Sequence, residues 1–121
     1  QNVVPITSEM IEKLQLRETD RLLVIRRLRY INDRPAAIHT TYLDYKSYFR
    51  LSNIDFSKES LLEMIEKVSG NRVAYSKDQV RAVAVDSQDA KLLEIPSGSS
   101  VLLVEGVAYT DDGRPTRFAR S

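Results

Sequence analysis

Apolar and polar positions alternate along the chain in patterns that predict strands, helices and one segment with neither period. Residues 22–30 and 101–109 are dense in Leu, Val and Ile over strand-length runs, as β-strands require. A short helix precedes each. Met10, Ile11 and Leu14 form the inward face of the first, with Thr7 or Ser8 as N-cap, and Ala90 and Leu93 that of the second, with Asp86 or Ser87 as N-cap. Pro96 and Gly98 are expected to end the second helix. Each strand runs into a turn. Asp112-Gly113 suits a two-residue type I′ hairpin because glycine tolerates positive φ, and Asn32-Asp33 is a weaker form of the same signal. A third helix is predicted over about 58–68, with Ser57 as N-cap, an inward row of Leu61, Leu62, Ile65 and Val68, and Gly70 at its C-terminal stop. A long strand over about 73–85 follows, with imperfect alternation. Residues 43–56 carry Tyr45, Tyr48, Phe49 and Phe56 without a clean period and read as an ordered loop covering part of the core.

The pattern occurs twice. Residues 7–30 align without gaps on 86–109 at an offset of 79, so that Leu14 falls on Leu93, Leu16 on Ile95 and Tyr30 on Tyr109. After one inserted residue, Arg34-Pro35 meets Arg114-Pro115. Each copy reads as a helix, an apolar strand, a hairpin turn and a return strand. The expected fold class is therefore α+β, an antiparallel sheet built from two repeated helix-hairpin units with packed helices.

With 121 residues, 42% of them hydrophobic, the chain is sized for a single domain over 1–121. Lys and Arg number 18 against 17 Asp and Glu, so there is no general field for nucleic acid or an anionic membrane, and anion binding must be local. The absence of cysteine and the single histidine argue against a disulfide framework and against a thiolate or His-rich metal site. No apolar run approaches the roughly 20 residues that span a bilayer, and the first ten residues lack the form of a signal peptide. A soluble, cytoplasmic protein without membrane contact is expected. The chain begins without Met and stops at Ser121 in what reads as mid-strand, so a piece of a longer protein is expected. No G-x-S-x-G, P-loop, H-E-x-x-H or G-x-G-x-x-G is present and carboxylates are scattered. No catalytic residue, metal or cofactor is expected.

The best chemical signal is Arg26-Arg27-x-Arg29. Side chains alternate along a strand, so Arg27 and Arg29 share a face about 7 Å apart with Arg26 opposite. Two guanidinium groups at that spacing can clamp one phosphate or carboxylate. The same spacing also suits exposed arginines paired with acids across the sheet. Ser60, in the first turn of the third helix, adds a hydroxyl to free backbone N–H groups and the positive end of the helix dipole, but equally reads as an ordinary polar residue. His39 on the return strand reads as a hydrogen-bonded polar side chain. Arg117 and Arg120 fall on opposite faces of the last strand. A two-residue turn at Asp112-Gly113 sets Glu105 opposite Arg120, which engages Arg120 and leaves Arg117 freer for a ligand.

The runs VIRRLRYINDRPAAIHTTYL and AKLLEIPSGSSVLLVEGVAYTDDGRPTRFARS resemble the UTRA domain, the effector-binding module of the HutC branch of the GntR transcription regulators. The most specific features are the R-x-R strand with D-x-P-x-A and T-Y-L, the SLLEMIE helix start, and the A-x-x-L-x-I-x-x-G-x-x-V-L run before Y-x-D-D-G-R-P. The resemblance implies a chorismate lyase-like fold, a homodimer, and a non-enzymatic sensor that modulates a repressor or activator. It also implies DNA contact only through a winged helix-turn-helix outside this chain. In sugar-phosphate-responsive members the R-x-R arginines and the helix serine hold the phosphate, which carries over to Arg27, Arg29 and Ser60. His39 and Arg117 stand where such members often place Glu, and Leu62 where they place an aromatic. Those positions read the remainder of the ligand, so the departures point to a small anionic effector other than an amino-sugar phosphate. The winged helix before Gln1 and the Y-R-G-D-R-Y-like ending after the final strand are missing, which again implies a fragment. The alternatives are a chorismate lyase-like enzyme and a ligand-free dimerisation module.

Overall fold

The computed structural model describes residues 2–56 and 60–121. Its strands are β1 (Asn2–Pro5), β2 (Arg21–Ile31), β3 (Arg34–Asp44), β4 (Val73–Ala84), β5 (Ser100–Thr110) and β6 (Pro115–Arg120). Its helices are α1 (Ser8–Leu14), α2 (Tyr45–Tyr48), α3 (Leu61–Ser69) and α4 (Ser87–Leu93), with a 3-10 turn over Phe49–Asn53. The strands form one six-stranded sheet in the order β1-β2-β3-β6-β5-β4, every neighbouring pair antiparallel. The α+β class and the two helix-hairpin units of the sequence are both present.

Strand alternation assigns the side chains to two faces. Leu23 and Ile25 pack with Leu43, Tyr48, Leu51, Leu61 and Ile65 beneath α2, the 3-10 turn and α3. Leu22 packs with Met10, Leu14, Val107 and Phe118 on the other face, beneath α1. The salt bridge of Arg26 to Asp89 places α4 on that second face as well. The first half of β2 is thus covered on both sides, and each buried Leu or Ile contributes about 1.5–3 kcal/mol. Its second half emerges from this cover, and Arg27 and Arg29 begin where the cover ends.

Several local expectations are corrected. The segment 43–56 is largely helical rather than a loop, with α2 and the 3-10 turn over residues 45–53: Leu43 and Asp44 complete β3, and the Asp44 side chain accepts from Lys46 N to start α2. Tyr48 and Leu51 are buried in the core, so the segment does cover it. Helix α3 starts at Leu61 with Ser60 as its N-cap, the Oγ accepting from Glu63 N at 3.3 Å. Ser57 and Lys58, expected as cap and first residue, lie outside the described residues. Leu62, expected on the inward row, is 49% exposed, because Leu61 and Ile65 at i and i+4 define the buried face. Ile11 and Leu93 are half-buried rather than core. Helix α4 ends at Glu94 in the left-handed region, φ 58, ahead of Pro96 and Gly98.

Of the two expected two-residue turns, the one with the weaker signal forms and the one with the stronger signal does not. Asn32 and Asp33 both have positive φ, 50 and 63, and make the two-residue turn between Ile31 and Arg34. Around Gly113, φ 83, the loop has three residues, with Thr110 N donating to Arg114 O and Gly113 N to Thr110 O. A bulge at Ala108/Tyr109 offsets the extra residue, so Glu105 still faces Arg120.

Candidate functional site

Arg27 and Arg29 lie on the α3 side of the sheet, as the alternation predicts, and Arg26 on the α4 side. The ladder sets His39 opposite Arg27 and Thr41 opposite Ile25. The next ladder sets Ala119 opposite Thr41, and Gly106 and Asp78 continue that row to the sheet edge. A floor of small residues therefore runs across the centre of this face: Thr41 is 0% and Ala119 6% exposed.

The charges on the two faces are handled differently. On the α4 side, Arg26 is bonded to Asp89, and Arg120 reaches Glu105 at 2.9 Å and Glu9 at 2.7 Å. The expected engagement of Arg120 is thus present, and the Arg120 bond and neighbouring cations hold the Glu105 carboxyl below its usual range. On the α3 side, Arg27, Arg29 and Arg117 form no ion pair among the described residues. Burial lowers the pKa of Arg27, and the charges of Arg29 and Arg117 lower it further. Arg117 is lowered by burial and partly restored by Asp78. His39 is pulled down to about 4, first by burial and then by Arg27, Arg117 and Arg29. It is neutral at pH 7, with its Nδ1 2.5 Å from Ser121 Oγ. Arg27 Nε and Thr41 Oγ1 are buried and find no hydrogen-bond partner among the described residues, a state that costs about 1–3 kcal/mol for each group.

The structure thus brings four of the six expected residues together: Arg27, Arg29, His39 and Arg117. Arg29 is exposed while Arg27 is half-buried, so only one of the two clamp arginines is appreciably desolvated. Ser60 stands at the start of α3, which packs on the same sheet face through Leu61 and Ile65, and its oxygen is engaged as the N-cap. Leu62 is turned to solvent. Thr41 and Asp78 were missed. Thr41 was reachable from the alternation starting at His39, whereas Asp78 depends on the β4–β5 register. No group of three or more His, Cys, Asp or Glu able to hold a metal occurs among the described residues.

A cavity of about 500 Å³ opens mainly on the α4 side, lined by Ala36 and Ile38 of β3, Val101 and Leu103 of β5, and Asp89 and Leu93 of α4. It does not include Arg27, Arg29, His39 or Arg117. Both β3 and β5 flank β6, which places them two strand spacings apart, about 9.6 Å. Beyond Arg120 only Ser121 continues between them among the described residues, exchanging hydrogen bonds with Val104 at 2.8 and 2.9 Å. The cavity therefore has the form of a strand-wide gap.

A family model of the UTRA domain matches residues 1–121. The HTH-type transcriptional repressor NagR of Bacillus subtilis is 27% identical over 97 residues, covering 80% of this chain and 40% of that protein. The HTH-type transcriptional regulator Rv0792c of Mycobacterium tuberculosis is 31% identical over 97 residues, covering 78% of this chain and 36% of that protein. The chain spans well under half the length of these relatives. Among solved structures, a GntR-family transcriptional regulator from Enterococcus faecalis superposes with a TM-score of 0.88 at 28% identity, over 98% of this chain and 85% of that one. A ligand-binding domain assigned to the GntR family, from Bordetella bronchiseptica, superposes at 0.90 and 26% identity, over 98% and 78%. Fold, duplicated units and a match along the whole sequence agree, and the chain belongs to the UTRA domain family, whose relatives here are transcription regulators.

Proposed function

We propose that this domain is the non-enzymatic effector sensor of a GntR-type regulator and that it binds a small anion at Arg27 and Arg29, with His39, Arg117 and Ser60 around it. The observation that carries this reading is Arg27 itself, whose Nε is buried without a partner beside Arg29 and Arg117, neither of which forms an ion pair among the described residues. Burying like charges is tolerable when an anion compensates them. A screen of sugar phosphates, phosphonates and small carboxylates by thermal shift tests it, since a ligand at 100 times its Kd adds about 2.7 kcal/mol of stability. Absence of any hit refutes the sensor and favours a ligand-free dimerisation module. Turnover of chorismate above background would make the domain an enzyme instead.

The sensor works as a cytoplasmic homodimer, in which the effector biases two arrangements of attached DNA readers. A monomer by light scattering at tens of micromolar would contradict the dimer. DNA contact belongs to a winged helix-turn-helix of a longer protein. A further extended segment of that protein fills the gap between Ala36–Ile38 and Val101–Leu103, whose strand-wide spacing suits an added strand.

A further inference from the structure

The floor of the site carries positive charge at both ends. Arg27 and Arg29 stand at one end, in and beside the row of His39. Arg117 stands at the other, four residues before Ser121, whose hydroxyl meets His39; four strand residues span about 14 Å between Cα atoms. Across that separation Arg117 still acts electrostatically on both Arg27 and His39. Between the two ends lie Thr41, with its unpartnered Oγ1, and Ala119.

Charge balance then separates this site from the opposite face. Arg26 and Arg120 there have carboxylates in contact. On the α3 side the strands offer a single acid, Asp78, and it acts on Arg117 from the row of Gly106 without an ion pair. Among the described strand residues of this face, three guanidiniums stand with one carboxylate. A ligand with one acid group compensates the Arg27–Arg29 end and leaves Arg117 half-buried and unmatched. The neutral imidazole between the ends offers hydrogen bonding and adds no charge.

We infer that the effector is a compact bis-anion, one acid group held by Arg27 and Arg29 and a second met by Arg117 across the floor of Thr41 and Ala119. This rests on the sensor reading above and adds the class of ligand to it.

Calorimetric titration of the domain with ethylphosphonate, which has one acid group, and with phosphonoacetate, 3-phosphonopropionate and 4-phosphonobutyrate, which add a carboxylate at increasing spacing, tests the inference. At least one bis-acid is expected to bind about tenfold or more tightly than ethylphosphonate, a difference of about 1.4 kcal/mol. Arg117→Gln is expected to bring that bis-acid to within about twofold of ethylphosphonate, and Arg27→Ala to weaken every probe. Equal affinity of ethylphosphonate and all three bis-acids overturns the inference while leaving anion sensing intact. Equal weakening of ethylphosphonate and the bis-acids by Arg117→Gln overturns it too. Binding of no probe at millimolar concentration sinks both readings. The series on the parent chain decides the matter even where Arg117→Gln fails to fold.

Discussion

The two helix-hairpin units are the same object in their backbone and different objects in their chemistry. Helix α1 (Ser8–Leu14) and α4 (Ser87–Leu93) coincide at an offset of 79, as do β2 (Arg21–Ile31) and β5 (Ser100–Thr110). Both helices end on a left-handed residue, Gln15 at φ 55 and Glu94 at φ 58. Both hairpins carry a bulge at the same place, Arg29/Tyr30 and Ala108/Tyr109. Yet Arg27 and Arg29 of the first unit correspond to Gly106 and Ala108 of the second, and, past the one-residue insertion, His39 corresponds to Ala119. Duplication accounts for the frame and divergence for the site, with the first unit supplying Arg27, Arg29 and His39 and the second Arg117 and part of the floor.

The comparison breaks most severely at Gly106. A Cβ there would lie 2.0 Å from Asp78 Oδ1, 2.3 Å from Lys77 O and 2.8 Å from Asp78 Cα, and backbone cannot yield as a side chain can. Gly106→Ala is expected to destabilise the domain by about 3 kcal/mol, read from the midpoint of urea unfolding; a loss below about 1 kcal/mol would show that β4 can move aside. At the matching position Arg27→Ala should behave oppositely, leaving the stability of the free domain unchanged or higher because it relieves repulsion from Arg29 and Arg117. Its effect belongs to binding, where it should weaken the best small anion by about 1.5–3 kcal/mol. Arg27→Lys should recover only part of that, since it keeps charge and loses the planar fork. Unchanged affinity by calorimetry in Arg27→Ala would remove the clamp.

How legible these differences were depends on how local their causes are. The repeated unit could be read because caps, strand composition and alternation are written within a few residues of where they act. Alternation put Arg27 and Arg29 on one face but left open whether they pair with acids, and their assignment to a ligand rested on the family resemblance. Segment 43–56 was misread because one turn of α-helix and a 3-10 turn are too short to display a helical period. Leu62 was misassigned because an apolar residue beside Leu61 gives no sign of which of the two faces inward. Asp78 enters the site only through the register of β4 against β5, a pairing between residues far apart in sequence. The Glu105–Arg120 pair was correctly expected although the turn was not, because the bulge restores the register that the longer turn would have shifted.

His39 sharpens the comparison through pH, since its counterpart Ala119 cannot titrate. Burial first, and then the charges of Arg27 and Arg29 of β2 and Arg117 of β6, pull the imidazole from 6.5 to about 4, and Ser121 is bonded to it. Between those values the unfolded chain binds a proton that the folded chain refuses, so this contribution to stability falls as pH drops from about 6.5 towards 4. The ring is only half-buried, so after solvent screening the loss should be about 1–2 kcal/mol. His39→Ala should flatten that part of the stability–pH curve. An unchanged slope in His39→Ala would assign it to other groups. A bound anion should raise the His39 pKa by compensating the arginines, visible as a shift of its ring resonances.

The smallest expected difference lies at the caps, where the two units solve one problem with different residues. Thr7 Oγ1 accepts from Met10 N at 3.3 Å, and Asp86 Oδ1 accepts from Asp89 N at 2.8 Å. Both satisfy one of the free N–H groups at a helix start. Asp86 additionally brings a full negative charge to the positive end of the α4 dipole, which shortens and strengthens the bond. The α4 start carries a second acid, Asp89, already bonded to Arg26, so removing Asp86 leaves part of the dipole interaction in place and moderates the loss. Thr7→Ala is therefore expected to cost about 0.5–1 kcal/mol and Asp86→Ala about 1–1.5 kcal/mol. The gap should narrow in high salt, which screens the charge and leaves the neutral bond of Thr7 untouched. Urea unfolding of both variants at low and high salt checks this, and a larger loss for Thr7→Ala at low salt would show that charge at the helix start is not what separates the two units.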